Sequence, residues 1–348
     1  MLRSIPVVDV RSGGPVLLAR THRTEMEEVR AACLNMLPRG AHGLVRPADA
    51  IARRWLERNA SSYRAEIAAI AEIAGQPGVF AVNSAYEWAC TVATHPLGEA
   101  APLLVRTLDW PFPGLGRGVV VAHQAGTAGE FLNVTWPGAV GVLTALAPGR
   151  FAATINQAPL RRRTRGELLR FCDYAANAAH TYFRVRHAPP AHVLRHVFET
   201  ARDYREAQSL LAEIPVARPV LFALTGTRPK EACVIERTPT AARVIEGGVL
   251  VANDWHEPQR GWEPRSCGGP VETDSRDRHA CLAAGIAAGA TPFAWLKPPV
   301  HNWATRLAVE MSAGDATLRV IGFEPVGGLA PAAQATEMLD LTHARLAA

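Results

Sequence analysis

The stretch that decides the fold is Cys90-Thr-Val-Ala-Thr-His-Pro-Leu-Gly-Glu-Ala-Ala-Pro-Leu-Leu-Val-Arg-Thr-Leu-Asp109. Two apolar runs, at residues 90–94 and 102–106, flank a segment that contains proline and glycine. Runs of this length with such residues between them are typical of two β-strands joined in a hairpin. The returning strand would bring Arg106 and Asp109 back beside Cys90.

This hairpin predicts a chemical site at Cys90. A guanidinium near a thiolate stabilises the charged form, so we expect Arg106 to lower the pKa of the Cys90 thiol. The carboxylate of Asp109 could fix an ammonium group or orient a proton carrier. Spacing alone leaves an alternative open, in which Cys90 is an ordinary buried cysteine and Arg106 and Asp109 form an ion pair at a strand end.

The pattern changes at Cys90. Before it, helical spacing of apolar residues predicts helices over residues 24–37, 47–59 and 63–74, the last ending at Gly75. After it, strands are expected at 90–94, 102–106, 118–123, 138–145, 151–155, 219–224, 232–236, 241–246, 248–252 and 317–323. Further helices are expected at 164–183, 190–201, 204–212 and 273–288. Such blocks of strands and helices favour layered α+β over a doubly wound parallel sheet.

The composition is that of a globular protein: 348 residues, 48% hydrophobic and 20% charged. Since there is no run of 18 uncharged apolar residues, we expect no transmembrane helix. The N-terminal residues lack a continuous apolar segment and a cleavage site, so no secretory signal and a cytoplasmic location are expected. The six cysteines are far apart and form no CxxC pair, which favours reduced thiols over a disulfide framework.

Two features suggest other functions and are set aside. The run Arg161-Arg162-Arg163-Thr164-Arg165 has no interleaved aromatics, so a solvated loop and helix start is favoured over a nucleic-acid surface. A zinc site built from His256, Cys267, His279 and Cys281 fits no common zinc spacing. We expect no metal, no cofactor and no nucleic-acid partner. Five histidines match no arrangement with Cys90 and are expected at the surface: His95, His180, His187, His192 and His196.

Five segments resemble a known family. The Cys90-Thr pair with Arg106-x-x-Asp109-Trp110, and the run Gly141-Val-Leu-Thr-Ala-Leu-Ala-Pro-Gly-Arg-Phe-Ala-Ala-Thr-Ile-Asn156, resemble the acid ceramidase and N-acylethanolamine acid amidase group. Residues 63–75 with 83–87, then 251–256 and 275–282, resemble other segments of that group. The group is similar in turn to choloylglycine hydrolases and penicillin acyltransferases. The order and spacing of the segments, over about residues 5 to 290, make the resemblance specific.

The resemblance implies a self-processing N-terminal-nucleophile (Ntn) hydrolase, an α+β protein with a four-layer αββα sandwich of antiparallel sheets. Residues 1–89 would be a mainly helical pro-segment and residues 90–348 the catalytic domain, and the two parts would stay associated after cleavage. The implied substrate is a small molecule with a linear N-acyl amide bond, fatty-acyl amides being one option.

The same resemblance implies roles for individual residues. Cys90 would be the nucleophile, and its freed α-amino group, which titrates near ~7.7–8.0, the general base. Arg106 would support the thiolate and the substrate, and Asp109 would hold the amine. Asn156 and Asn253 would line the oxyanion hole. Arg278, or Arg276 in a shifted register, would order the site. Substrate contacts would come from Trp110, Trp255 and Arg276.

Two positions depart from the family pattern. Gln157 stands where acid ceramidases carry an acid, so the resemblance implies no proton-transfer role there. Asp254-Trp255-His256 departs from the usual aromatic-then-acid order, so the local pocket can differ. Two alternatives also remain: an acyltransferase with the same nucleophile, and a catalytically inactive binding protein that uses the arginines at 161–165.

Overall fold

The structure is a computed structural model that describes residues 2–35, 39–85, 89–97, 100–164, 169–267, 270, 273–287 and 291–342. The helices are α1 (Gly14–Thr21), α2 (Arg23–Asn35), α3 (Val45–Leu56), α4 (Arg64–Ala74), α5 (Val79–Asn83), α6 (Arg170–Arg184), α7 (Pro190–Thr200), α8 (Tyr204–Glu213) and α9 (Asp274–Ala287), and a 3-10 helix covers Arg39–Leu44. In the described residues, no helix combines the length and the apolarity needed to cross a bilayer.

The strands form two large sheets. Sheet I has the order β1 (Val7–Asp9), β4 (Val120–Gly126), β5 (Gly129–Thr135), β6 (Thr144–Ala147), β7 (Phe151–Gln157), β9 (Val220–Thr225), β10 (Ala232–Arg237) and β11 (Ala242–Glu246). Sheet II has the order β12 (Val249–Val251), β2 (Ala89–Leu97), β3 (Ala100–Asp109), β14 (Thr305–Ser312), β15 (Thr317–Glu324) and β16 (Ala333–Gln334), with β17 (Leu339–Leu341) also on β15. A small ribbon pairs β8 (Leu160–Arg161) with β13 (Trp262–Glu263).

The two sheets lie face to face between helices. Strands β2 and β3 of sheet II contact β7 and β9 of sheet I, while α7 and α8 cover the outer side of sheet I and α9 contacts β2 and β12. Every residue of β7, β9 and β14 is buried, as expected for strands covered on both faces. The pairings within each large sheet are antiparallel except that of β1 with β4. The predicted α+β sandwich of antiparallel sheets is therefore confirmed.

The predicted hairpin at Cys90 is present. Strands β2 and β3 pair in a register that sets Ala89 opposite Asp109, Cys90 opposite Leu108 and Val92 opposite Arg106. Because β2 lies between β12 and β3, Cys90 stands at the start of an internal strand, as expected.

One predicted strand was largely wrong. Residues 138–145 were expected to be extended, but β6 begins only at Thr144. Gly138 has φ +92°, which favours glycine, and a Cβ on Gly141 would lie 2.6 Å from that of Ala191 in α7. The glycines therefore serve a turn and a close approach to α7 rather than a strand.

Seven of the described strands escaped the sequence patterns: β1, β5, β8, β13, β14, β16 and β17. In β14 the charged residues Arg306 and Glu310 interrupt the apolar run, yet both side chains are buried. Strand β1 pairs with β4, so the segment before Cys90 is mainly helical but also contributes to sheet I.

The arginine run is held by local partners. Arg162 forms ion pairs with Asp173 at 3.3 Å and Glu263 at 2.9 Å. The backbone N–H of Arg163 donates to Asp173, and the Arg161 guanidinium lies 5.9 Å from the centre of the Trp262 ring. Residue 165 lies outside the described residues. These contacts support a structural role for the run, joining β8, β13 and α6.

A buried polar network joins the segment before Cys90 to α7. Arg195 donates to both carboxylate oxygens of Glu66, at 2.6 and 3.0 Å, and to Glu199 at 2.8 Å. Its guanidinium stacks 4.1 Å from the centre of the Tyr63 ring, whose hydroxyl donates to Glu199 at 2.5 Å. The ion pair between Arg195 and Glu66 ties α4 to α7.

His192 belongs to this interface, and its expected surface position was wrong. The ring is 1% exposed, packs edge-on against Tyr63, and its Nδ1 lies 2.7 Å from Ser61 Oγ. Burial lowers the pKa of His192 from 6.5 to about 3, because a charged imidazole would lose its hydration there.

We expect this neutral histidine to make folding acid-sensitive. The unfolded chain takes up a proton below its His192 pKa of 6.5 and the folded chain does not, so stability falls as the pH drops from 6.5 toward about 3. The loss between about pH 7 and about pH 5 would be about 2 kcal/mol. Urea unfolding of the Cys90→Ala chain at both pH values measures it. His192→Asn should reduce the difference, and an equal difference in that variant would contradict the expectation.

Candidate active site

Cys90 is the second residue of β2, and its side chain has no exposed surface. Its Sγ accepts a hydrogen bond from Arg106 Nη2 at 2.7 Å and lies 3.7 Å from the carbonyl oxygen of Ile155. Arg106 is itself fixed, because Nη1 donates to Thr144 Oγ1 at 2.5 Å and to the Leu143 carbonyl at 2.9 Å. These hydrogen bonds hold the guanidinium in one orientation, with Nη2 directed at the thiol.

The expected lowering of the thiol pKa was wrong for this uncut chain. Burial raises the pKa of Cys90 from 9.0 to about 11, although Arg106 acts in the opposite direction. The loss of hydration of a thiolate outweighs one guanidinium that is shared with three other acceptors. At neutral pH the thiol of the uncut chain is protonated.

We expect Cys90 of the uncut chain to resist alkylation at neutral pH, because the thiol is both buried and protonated. Cys172 is exposed and serves as the internal control. Iodoacetamide treatment followed by peptide mass spectrometry of the full-length band should label Cys172 and leave Cys90 unlabelled. Equal labelling of both thiols in the full-length band would contradict this burial.

Asn253 and Arg278 hold the two peptide groups of Cys90. Asn253, just after β12, accepts the Cys90 N–H on Oδ1 at 2.9 Å. Arg278 of α9 donates to the Cys90 carbonyl at 2.6 Å, to Thr91 Oγ1 at 2.9 Å and to Asn253 Oδ1 at 3.0 Å. Asp274 accepts from Arg278 Nε at 2.9 Å, so the buried guanidinium has a counter-charge.

The position of α9 decides between the two arginines considered for this role. Arg278 is fully buried against Cys90. Arg276 is exposed, and its positive charge lowers the pKa of Asp254 against the effect of burial. Two residues apart on a helix, the side chains point to different faces. The contact with Cys90 is therefore made by Arg278.

The Asn253 side chain contacts Cys90, and the Asn156 side chain contacts the backbone just before Asn253. Asn156 Nδ2 donates to the carbonyls of Ala252, at 2.9 Å, and Val251, at 3.3 Å, while Asn253 Nδ2 donates to the Gln157 carbonyl at 2.9 Å. In the uncut chain both amide donors are thus occupied by backbone oxygens. Asn156 Oδ1 is buried and has no hydrogen-bond partner among the described residues.

Asp109 ends β3 and is almost fully buried. Its carboxylate accepts from Thr305 Oγ1 at 2.9 Å, lies 3.5 Å from Cys267 Sγ, and lies 3.9 Å from Arg278 Nη1. Burial raises the pKa of Asp109. The sequence patterns missed the contacts of Thr305 and Cys267 with Asp109, and Cys267 was considered only as a zinc ligand. Both residues meet Asp109 through the packing of distant segments.

The predicted substrate-contact tryptophans lie in the apolar core. Trp110 packs edge-on against Phe112 with ring centres 5.6 Å apart, and Trp255 packs against Trp262 at 5.4 Å. In the uncut chain their rings contribute to packing. Gln157 is also buried, and its Oε1 accepts from Arg265 Nε at 3.2 Å.

Part of this chain is similar in sequence to curated proteins. No protein-family model matches the chain. The N-acylethanolamine-hydrolyzing acid amidase of Oryctolagus cuniculus is 29% identical over 160 residues, 45% of this chain and 41% of that protein. The acid ceramidase of Heterocephalus glaber is 30% identical over 107 residues, 31% of this chain and 25% of that protein. The chain thus aligns with well under half of the length of these curated relatives.

Solved structures show more distant likenesses. A Caenorhabditis elegans N-acylethanolamine-hydrolyzing acid amidase ortholog has TM-score 0.48 and 19% identity, covering 65% of this chain and 93% of its own. Penicillin V acylase from Agrobacterium tumefaciens has TM-score 0.38 and 9% identity, covering 74% of this chain and 86% of its own. Through the part that aligns in sequence, the chain is similar to the acid ceramidase and N-acylethanolamine-hydrolyzing acid amidase group.

Proposed function

We propose that this chain is a self-processing cysteine hydrolase that cleaves linear N-acyl amides, with Cys90 as nucleophile. One observation carries this function: three buried side chains hold three different groups of Cys90. Arg106 donates to the thiol, Asn253 accepts from the backbone nitrogen, and Arg278 donates to the carbonyl oxygen. An ordinary core cysteine needs none of these polar contacts, whose burial costs free energy unless every partner is matched.

Processing would begin at the peptide bond between Ala89 and Cys90. The Sγ attacks the Ala89 carbonyl carbon, the carbon–nitrogen bond breaks, and the departing nitrogen takes up the thiol proton. Water then hydrolyses the thioester, which leaves a carboxylate on Ala89 and restores the thiol of Cys90. Asn253 Oδ1 already accepts from that nitrogen and would hold the new α-amino group.

Turnover would repeat this chemistry on a substrate. The free α-amino group, with a pKa near ~7.7–8.0, takes the thiol proton, and the thiolate attacks the acyl carbon. The amine of the substrate leaves with a proton, and water releases the acyl group from the thioester. Asn156 and Asn253 would donate to the oxyanion, Asp109 would hold the ammonium group, and Trp110, Trp255 and Arg276 would contact the substrate.

For the oxyanion role, the amide donors must exchange their present acceptors. The carbonyls of Ala252 and Gln157 occupy them in the uncut chain. We propose that separation of Ala89 from Cys90 opens the space in which a substrate oxygen replaces these carbonyls. The network around Arg195 would keep residues 1–89 bound to residues 90–348 after the cut.

The names of the sequence relatives support an acyl amide as substrate, since one is an N-acylethanolamine-hydrolyzing acid amidase and the other an acid ceramidase. The test is intact-mass spectrometry of the purified protein, followed by a panel of N-acyl amides that varies acyl length and head group. We expect a fragment that begins at Cys90, and release of free acid only from preparations that contain it. An added competing amine separates hydrolysis from acyl transfer. A chain that never cuts and releases no acid would refute the function.

A further inference from the structure

Asp109 is the buried acid nearest the scissile bond in the register of the sheet. It lies opposite Ala89 in the sheet, and its backbone N–H interacts with the Cys90 thiol and lowers the pKa of that thiol. The ionisation of its carboxyl group therefore sets part of the electrostatic potential at the nitrogen that becomes the α-amino group.

Side chains from distant segments contact the carboxylate of Asp109. Thr305 Oγ1, at the start of β14, donates to Oδ1 at 2.9 Å. Cys267 Sγ, in the segment before α9, lies 3.5 Å from Oδ2. Thr107, on the same strand as Asp109, donates to Oδ2 at 3.3 Å, and the side chain of Asn302 is a further hydrogen-bond partner of the carboxyl group.

The hydroxyl of Thr305 has its direction fixed. Its oxygen accepts the backbone N–H of Asn302 at 3.0 Å, so its single proton is free for Asp109. Cys267 is fixed too, because its N–H donates to Asp274 at 3.1 Å and its carbonyl accepts from Trp303 Nε1 at 2.8 Å. Burial raises the pKa of the Cys267 thiol well above 9.0, which keeps the S–H proton available as a donor.

We propose that Thr305 and Cys267 are positioning residues that keep the Asp109 carboxyl group ionised and fix its orientation at the end of β3, opposite Ala89. The effect of these two residues on catalysis rests on the proposed function. Their effect on the ionisation of Asp109 does not. Each donor stabilises the carboxylate form over the protonated form, in which one oxygen would itself carry a proton. Neither residue is required to touch the substrate.

The other charged and titratable groups around Asp109 do not replace these donors. Arg278, at 3.9 Å, is shared with Asp274 and with the Cys90 carbonyl. Five titratable groups interact electrostatically with Asp109, so that the charge of one shifts the pKa of the other: Arg278, Cys90, Cys267, His301 and Arg306. Burial raises the Asp109 pKa against them, so removing a donor should raise it further.

A rise in the Asp109 pKa should make the protein lose activity at a higher pH. A carboxylate needed for function is lost as the pH falls through its pKa, so a higher pKa moves the loss to higher pH. One hydrogen bond to an ionised group corresponds to about one pKa unit. We expect an upward shift of about one pH unit in Cys267→Ala and in Thr305→Val. Cys267→Ser and Thr305→Ser, which keep a donor, should stay close to the parent.

The shift can be measured without any turnover. In the Cys90→Ala chain, which cannot cut itself, carboxyl ¹³C NMR of aspartate-labelled protein follows the titration, and Asp109→Asn identifies the signal. Raised titration midpoints in Cys267→Ala and Thr305→Val, with the serine variants near the parent, are expected. Unchanged midpoints in both would overturn the role, and if one variant fails to fold the other decides.

A second measurement links the role to chemistry. In chains that retain Cys90, the pH dependence of self-cleavage should shift upward by the same amount in Cys267→Ala and Thr305→Val. Shifted NMR midpoints in a protein that neither cuts nor turns over would refute the proposed function and leave the positioning of Asp109 intact. Active variants with unshifted pH profiles and unshifted midpoints would refute the positioning alone.

Discussion

Cys90→Ala abolishes both the cut after Ala89 and all turnover, in the largest effect that we expect from any single substitution. The change removes the sulfur atom that would form the thioester in the proposed reaction, while the acceptors and donors around Cys90 remain. Cys90→Ser should cut slowly, because a hydroxyl is far less ionised than a thiol at neutral pH. Intact-mass spectrometry over time measures the cut, and acid release from an N-acyl amide measures turnover.

The matched control for this substitution is Cys233→Ala. Cys233 is also buried in a strand, and burial raises its pKa to about 11 as it does for Cys90, but it contacts Gln208 instead of an arginine. We expect this variant to cut and turn over normally. Cutting at the parental rate in Cys90→Ala would show that another group performs the reaction.

Asn253→Ala lowers kcat about 10²- to 10³-fold in the second-largest expected effect, with a much smaller change in KM. A lost oxyanion donor acts mainly on the transition state, where charge develops on oxygen, and costs about 2.7–4 kcal/mol of barrier. Single-turnover and steady-state assays on the processed enzyme measure it. Asn177→Ala, on α6, is the control, because among the described residues the Asn177 side chain contacts Arg163 and Arg161, which lie outside the Cys90 site.

Asn253→Asp separates the two functions of this amide. The aspartate keeps an oxygen to accept from the Cys90 nitrogen and from Arg278, and it loses the Nδ2 donor. If the donor carries the oxyanion role, kcat falls as far as in the alanine variant, while self-cleavage is retained better. Parental kcat in both variants would remove Asn253 from the oxyanion hole and leave it as a structural clamp.

In the uncut chain, the thiol that we propose as the nucleophile is not accessible. Cys90 is fully buried, its thiol is protonated at neutral pH, and both asparagine donors are occupied. Each of these features opposes reaction with an external substrate. The release of Ala89 would change them together, since it converts an amide nitrogen without a basic lone pair into an amine.

The sequence by itself determined the local geometry around Cys90. The separation of sixteen residues from Cys90 to Arg106, with a proline- and glycine-containing segment between them, allowed one simple hairpin, and the structure has it. The helices over residues 63–74, 190–201 and 204–212 and several strands were also predictable, because their spacing of apolar residues reflects short-range periodicity. Strand β14 was not, because its buried charges hide that periodicity.

Only the tertiary structure decided the chemistry of the site. The direction of the Cys90 pKa shift depends on how completely the two sheets and α9 exclude water, and no local pattern encodes that exclusion. The choice of Arg278 over Arg276 depends on which face of α9 meets β2, and the burial of His192 depends on α4 packing against α7. Thr305 and Cys267 reach Asp109 from 196 and 158 residues away in sequence. Desolvation and long-range hydrogen bonds arise only when distant segments pack together, so they are properties of the folded chain.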